Sequence, residues 1–262
     1  DVDDYPGFPE GIQGPDLMEK IRKQAERFAT RFINEDVVSV DLQQRPFIIQ
    51  SESKRLMTDS LIIATGASAM WLNLPSEQKL RGKGVSACAV CDGFFFKDKA
   101  VIVVGGGDTA MREAAFLSKL CKKVTVVHRR GKLRAQVALQ ELVKSKPNID
   151  FIWNTVVEEI LGQGKVTGVR LKNTQTGKIS EMLIDGVFIA IGHKPNTDFL
   201  KGQLPLDEKG YVQVKNETHT EVEGVFVAGD VADYHYRQAV TAAGMGCMAA
   251  MDVEEYLENQ KF

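Results

Sequence analysis

The chain has 262 residues, 44% of them hydrophobic, which is enough for one large or two ordinary domains with substantial cores. Its formal charge of −2 is close to balance and its charged residues are interspersed, which argues against nucleic acid or an anionic membrane as a partner. No apolar run approaches the roughly 18 residues of a spanning helix and no signal peptide opens the chain, so a soluble cytoplasmic protein, its cysteines reduced or cycling catalytically, is expected.

Residues 1–15 are rich in Gly, Pro and Asp and predict a surface loop. Asp16 to Phe28 then sets Leu17, Ile21, Ala25 and Phe28 at helical spacing, and strand-type runs follow at Val37–Leu42, Phe47–Gln50 and Leu61–Ala64 before a Thr65-Gly66 turn. Near Lys99 the pattern becomes strand, glycine turn, helix. Val101–Val104 is a continuous apolar run, as in a strand buried on both faces of a parallel sheet, and Gly105, Gly106 and Gly107 follow it. Thr109–Leu120 predicts a helix with Ala110, Ala114 and Leu117 on one stripe, and Val124–Val127 is the next strand, completing a βαβ unit. Runs at Val156–Leu161, Val166–Leu171 and Leu183–Ile191 predict an antiparallel ribbon returning to the sheet. Val225–Ala228, a Gly229-Asp230 turn and a long helix from about Arg237 to Leu257 close the chain.

Two motifs carry chemistry. Cys88 and Cys91 form a C-x-x-C pair, which by spacing alone is a thioredoxin-like redox motif, half of a zinc site or a coincidence. No second pair of ligands accompanies it, so no metal is expected, and Cys121 and Cys247, each within an apolar helical stretch, read as buried packing residues. Asp92 follows the second cysteine. It is either an acid/base for thiol exchange or a capping residue ahead of Gly93.

Gly105, Gly107 and Ala110 match the G-x-G-x-x-A dinucleotide fingerprint between a strand and a helix, where free N–H groups and the positive helix end meet pyrophosphate. About 20 residues on, an NAD enzyme would place a carboxylate for the ribose 2′-OH. This chain instead reads His128, Arg129, Arg130 and then Arg134, which favours a 2′-phosphate and hence NADPH, the alternative being a solvated basic loop. Because nicotinamide does not readily reduce a disulfide directly, dithiol and NADPH loop together imply an FAD intermediary.

CAVCDGFFF, VIVVGGGDTAMREA, HRRGKLR, AIGHKPNT and GVFVAGDVADYHYRQAVTAAGMGCMAA together resemble the low-molecular-weight, bacterial-type thioredoxin reductases over essentially the whole chain. The resemblance implies an α/β fold of two Rossmann-like, three-layer dinucleotide-binding domains, with an NADPH domain (69–193) carrying the dithiol inserted into an FAD domain (1–68 and 194–262). The family's own first βαβ unit, with its glycine loop, has no counterpart here, since Gly7, Gly11 and Gly14 lie among prolines without a preceding strand. The resemblance also implies Cys91 as the thiol facing the flavin, Cys88 as its disulfide partner and Asp92 as acid/base. Gly105, Gly106, Gly107, Asp108, Thr109, Ala110, His128, Arg129, Arg130, Arg134, Ile191 and Gly192 fall on NADPH positions. Thr65, Gly66, Gly229, Asp230, Arg237, Gln238 and Ala239 fall on FAD positions. The implied activity is a homodimeric enzyme passing electrons from NADPH through FAD and the Cys88/Cys91 pair to the disulfide of thioredoxin or a thioredoxin-like protein. A related flavin disulfide reductase with another protein partner, or a flavin-free NADP-binding fragment, are the alternatives.

Overall fold

The computed structural model describes residues 2–200 and 202–260. In chain order the elements are α1 (Gly14–Glu26), β1 (Val37–Asp41), β2 (Phe47–Ser51), β3 (Arg55–Thr58), β4 (Leu61–Ile63), β5 (Ala67–Ala69), α2 (Pro75–Leu80), β6 (Val85–Ser86), α3 (Ala89–Asp92), β7 (Ala100–Val104), α4 (Asp108–Leu117), β8 (Lys123–Val127) and α5 (Val137–Lys144). They continue with β9 (Ile149–Ile152), β10 (Thr155–Leu161), β11 (Gly168–Asn173), β12 (Ile179–Leu183), β13 (Gly186–Ile189), β14 (His193–Pro195), β15 (Val225–Val227) and α6 (Ala239–Asn259). The chain divides into an outer unit, Asp1–Ser68 with Lys194–Phe262, and an inserted unit, Ala69–His193.

The inserted unit is built on a parallel sheet of order β6-β13-β7-β8-β9. Alternation along β7 sends Val101 and Val103 to one face and Ile102 and Val104 to the other, all buried. The first face packs on α4 and α5 through Ala110, Met111, Ala114 and Val143; the second packs on Val157, Ile160, Val169 and Leu171 of the antiparallel sheet β10-β11-β12. Full burial of each such aliphatic side chain stabilises by roughly 1.5–3 kcal/mol, so the continuous apolar run of β7 holds both interfaces of a three-layer sandwich.

The run Leu183–Ile191 divides where a single strand is expected. Leu183 ends β12 in the antiparallel sheet and Gly186 opens β13 in the parallel one. The turn between them is fixed by Asp185, whose carboxylate accepts from the Ala100 amide at 3.0 Å, and by Gly186, where a Cβ would lie 2.3 Å from the Phe96 ring.

In the outer unit β1, β2 and β3 form an antiparallel meander, and β4 pairs in parallel with β15. Val40, Leu42, Phe47, Ile63, Val225 and Val227 share one core with Leu200, Leu204 and Val212. The long helix α6 lies on the parallel pair, with Ala249 against Phe226 and Ala228. In α1 Leu17 is buried and Ile21 exposed. One expectation, the burial of both remaining cysteines, is corrected. Cys121 is buried and its thiol is pushed up to about 11 by desolvation, but Cys247 is exposed, because the face of α6 that packs inward carries Ala249 instead.

Candidate active site

Cys88 and Cys91 are joined as a disulfide with their Cα atoms 5.4 Å apart. Cys88 is the extended residue that caps α3, and its Sγ accepts from the Cys91 amide at 3.2 Å. Upstream, Oγ of the buried Ser86 at the end of β6 accepts from the Cys88 amide at 3.0 Å. Downstream, Gly93 lies so close to α4 that a Cβ would sit 3.1 Å from Leu117 and Phe116. Sheet and helix thus mount the pair rigidly, with Ala89 buried beneath it and Cys91 exposed. Asp92 occupies the position before the 3-10 turn Gly93–Phe96, yet its side chain makes no capping bond, so the capping alternative is not what the carboxylate does. Val90, Phe94 and Phe95, within four residues of Cys91, are exposed, a feature the motif reading passes over although FFF stands beside CAVCDG in the sequence.

The glycine loop follows β7. Gly105, at φ +158°, approaches the Ala190 carbonyl so closely that a Cβ would lie 2.3 Å from its oxygen, which places Ile191 and Gly192 just beyond this contact. Gly107 caps α4, and a Cβ there meets nothing within 4 Å. The loop therefore offers open space over the N–H groups of a helix start, the cradle a pyrophosphate needs. Asp108 accepts from the Gln136 amide at 2.8 Å, and the Arg134 amide donates to the Gly106 carbonyl at 2.8 Å, so the basic loop is tied to the glycine loop. Arg129, Arg130 and Arg134 are exposed, whereas His128 is buried with its ring against Gly106. Thr109 and Ala110 lie in the first turn of α4, Ala110 fully buried.

In the outer unit six of the seven predicted flavin residues, Gly66, Gly229, Asp230, Arg237, Gln238 and Ala239, line one cavity of about 440 Å³, a volume in the range of small-molecule sites. Gly66 at φ +68° and Gly246 both face open space, Gly229 turns at φ +74°, and α6 begins at the cavity with Gln238 and Thr241 forming a capping box. Burial, with Asp233 nearby, pushes the Asp230 carboxyl above its ordinary range, against the opposing pull of Arg237. The cavity thus presents small residues that leave room for a flat ring, a helix start, and a half-buried carboxyl beside Arg237, a lining that fits part of a flavin cofactor. Thr65 stands apart from the lining. Its hydroxyl donates to the Asn196 carbonyl at 2.8 Å, and Asn196 returns a bond from its side-chain amide to the Thr65 carbonyl at 2.9 Å.

The model of the pyridine nucleotide-disulphide oxidoreductases matches residues 2–246. The chain is 52% identical over 268 residues to the thioredoxin reductase of Coxiella burnetii, covering 99% of this chain and 84% of that protein. It is 52% identical over 259 residues to that of Streptomyces clavuligerus, covering 98% and 80%. The chain belongs to the thioredoxin reductase family. Among solved structures, the thioredoxin reductase from Giardia duodenalis superposes with a TM-score of 0.94 at 45% identity, covering 98% of this chain and 85% of that one. That of Streptococcus pyogenes superposes with a TM-score of 0.92 at 39% identity, covering 99% and 85%. These relationships make the chain an NADPH-dependent flavoprotein disulfide reductase of α/β fold, with FAD and NADPH as its cofactors. Among the described residues no helix is long and apolar enough to cross a membrane, and no group of three or more side chains is placed to hold a metal ion.

Proposed function

We propose that this chain reduces the disulfide of thioredoxin or a thioredoxin-like protein, using Cys88 and Cys91 as the exchanging dithiol and Asp92 as the proton-handling group. The observation that carries this reading is the disulfide itself, exposed at Cys91, with the exposed apolar side chains of Val90, Phe94 and Phe95 close to it in sequence, residues suited to a protein substrate. In the reduced pair, one thiolate attacks a sulfur of the partner's disulfide, giving a mixed disulfide and releasing the partner's first thiol. The second cysteine attacks the mixed disulfide, regenerating the Cys88–Cys91 bond and releasing the partner's second thiol. Two electrons and two protons pass to the partner, and in this reading the Asp92 carboxyl, which makes no capping bond, relays a proton.

In this reading the inserted unit is the NADPH domain. Gly105, Gly106 and Gly107, with Asp108, Thr109 and Ala110 opening α4, hold the pyrophosphate, Ile191 and Gly192 border the loop, and Arg129, Arg130 and Arg134 take the 2′-phosphate. The outer unit is the FAD domain, with Gly66, Gly229, Asp230, Arg237, Gln238 and Ala239 around the flavin cavity and Thr65 beside it. Bound FAD supplies the two-electron relay between nicotinamide and disulfide. A homodimer in the cytoplasm completes the proposal, on the strength of the family likeness.

Purified protein is expected to be yellow, to bleach on addition of NADPH, and to reduce thioredoxin disulfide catalytically. Bleaching without reduction of thioredoxin would mean another protein partner, and a colourless protein that still binds NADP⁺ would refute turnover altogether. Replacing Arg129 and Arg130 together with Ala should weaken NADPH binding by about 10- to 100-fold while leaving NADH nearly unchanged.

A further inference from the structure

The parallel pairing of β7, β8 and β9 brings the segments that lead into these strands to one edge of the sheet, and each of them carries lysine. Lys97 and Lys99 stand before β7, Lys119, Lys122 and Lys123 at the entry to β8, and Lys144 and Lys146 before β9. Hydrogen bonds tie the three segments together. The Asp98 amide donates to the Leu120 carbonyl at 3.0 Å and the Lys123 amide to the Lys99 carbonyl at 3.3 Å, while Nδ2 of Asn148 donates to the Ser118 and Cys121 carbonyls at 2.9 and 3.1 Å. Segments 97–99, 119–123 and 144–148 hold one carboxylate, Asp98; beside them Asp150 pairs with Lys123 at 2.8 Å and Asp185 accepts from the Ala100 amide. Lys97, Lys119 and Lys122, all exposed, form no ion pair among the described residues. A chain whose formal charge is −2 thus gathers at one edge the lysines that its sequence disperses.

This edge is continuous with the disulfide segment. A Cβ at Gly93, the second residue after Cys91, would lie 3.3 Å from Leu120, and Nζ of Lys99 donates to the Phe95 carbonyl at 2.9 Å. Phe94 and Phe95, 68% and 46% exposed, stand along the chain between Cys91 and the first of the lysines. We propose that the lysine edge is the electrostatic part of the surface on which the protein substrate docks, and that this substrate carries an acidic face beside its redox disulfide. The inference rests on the reading of Cys88 and Cys91 as the pair that reduces a protein, and it adds the charge that the partner presents. Apolar residues bordered by polar and charged ones are the common anatomy of a protein interface. Charge of one sign at the border steers a partner of the opposite sign and acts on the rate of encounter more than on the bound state. Nucleic acid and anionic membranes also offer negative charge, but they bring no disulfide to the neighbouring Cys91.

The test uses the full-length flavoprotein, with an oxidised thioredoxin of acidic net charge as substrate. Its kcat/KM should fall by about tenfold as salt rises from about 10 to about 150 mM, over which the screening length contracts from about 30 Å to about 8 Å. Lys97→Gln, Lys119→Gln and Lys122→Gln together leave the bonds of Lys99 and Lys123 in place. At low salt this triple variant should lose about fivefold in kcat/KM, all of it through KM, and its salt dependence should flatten. Its kcat and the rate at which NADPH bleaches its flavin should match the parent. Lys97→Glu, Lys119→Glu and Lys122→Glu together should reverse the slope, so that salt restores activity, an outcome that damage to the fold would not produce. A parent indifferent to salt, or a Gln variant with the parent's slope, would overturn the inference. So would a Gln variant that loses binding to phosphatidylglycerol vesicles or to a single-stranded oligonucleotide with KM for thioredoxin unchanged, since the edge would then serve a phosphate-bearing partner. A parent that bleaches with NADPH but reduces no thioredoxin at any salt fails the reading of the partner itself, and the inference about its charge falls with it.

Discussion

The Cys91 amide donates to Sγ of Cys88 at 3.2 Å, so that a sulfur caps the start of α3. When the disulfide opens, that same N–H is available to a thiolate on Cys88, and a donor favours the charged form. Cys91→Ser keeps the donor, since it belongs to the backbone, and leaves Cys88 as a free thiol. The variant should still bleach with NADPH but lose reduction of protein disulfides. Its Cys88 should be alkylated by iodoacetamide with a pH midpoint below the ordinary cysteine value of about 8.5. A midpoint at or above that value would remove the sulfur cap from the mechanism.

Gly106 and Gly107 are adjacent but do different things. A methyl group on Gly106 would collide with the His128 ring, whereas one on Gly107 projects into open space from a backbone any residue can adopt. Gly106→Ala should therefore lower thermal stability and NADPH affinity together. Gly107→Ala should melt within a degree or two of the parent but bind NADPH weakly, because its methyl stands where the pyrophosphate approaches. Equal stability for both variants, followed by calorimetry, would contradict this division.

Much of this arrangement is legible in the sequence where one local pattern suffices. Val101–Val104 followed by three glycines specifies a buried strand and its turn without further context. The short strand Arg55–Thr58 escapes, because two of its four residues are exposed and it is defined by pairing with β2. Ile149–Ile152 escapes for a similar reason, its partner β8 lying 22 residues upstream across α5. Burial of Cys247 is misread because helical spacing identifies a stripe without saying what packs on it. The motif places His128 in one run with the arginines but does not convey that its side chain turns inward under Gly106, since adjacency along the chain says nothing of burial.

Burial also gives His128 a pH signature. Its pKa is lowered by desolvation first, against the opposing bond to the Lys132 carbonyl and with Arg134, Arg129 and Arg130 adding to the lowering, so the unfolded chain takes up a proton at a higher pH than the folded one. Above the unfolded value of about 6.5 both states are neutral and this contribution to stability is fully present; it is lost progressively as pH falls from there through the lowered folded value. Melting temperature should decline across this window, and the decline should be shallower in His128→Gln, which has nothing to titrate. Identical slopes for parent and variant, measured by differential scanning fluorimetry, would assign the pH dependence elsewhere.

Glu77 supplies the sharpest stability prediction in the inserted unit. Its side chain is 0% exposed, and its two carboxylate oxygens accept separately from the Leu72 and Asn73 amides, each at 2.9 Å. Asn73 sits at φ +62°, so the carboxylate holds a turn that its backbone does not favour, while Arg81 lies 3.8 Å from Oε2 and covers the Trp71 ring. Glu77→Ala leaves two part-buried N–H groups without their acceptor; water can reach them in part, so each costs less than the roughly 1–3 kcal/mol of a fully buried group. Glu77→Gln keeps one acceptor oxygen but turns an NH₂ toward the second amide, so it should lose roughly half as much. Urea denaturation should rank the parent above Gln above Ala. A reversed order would show that the carboxylate charge, through its desolvation, outweighs the bonds it makes.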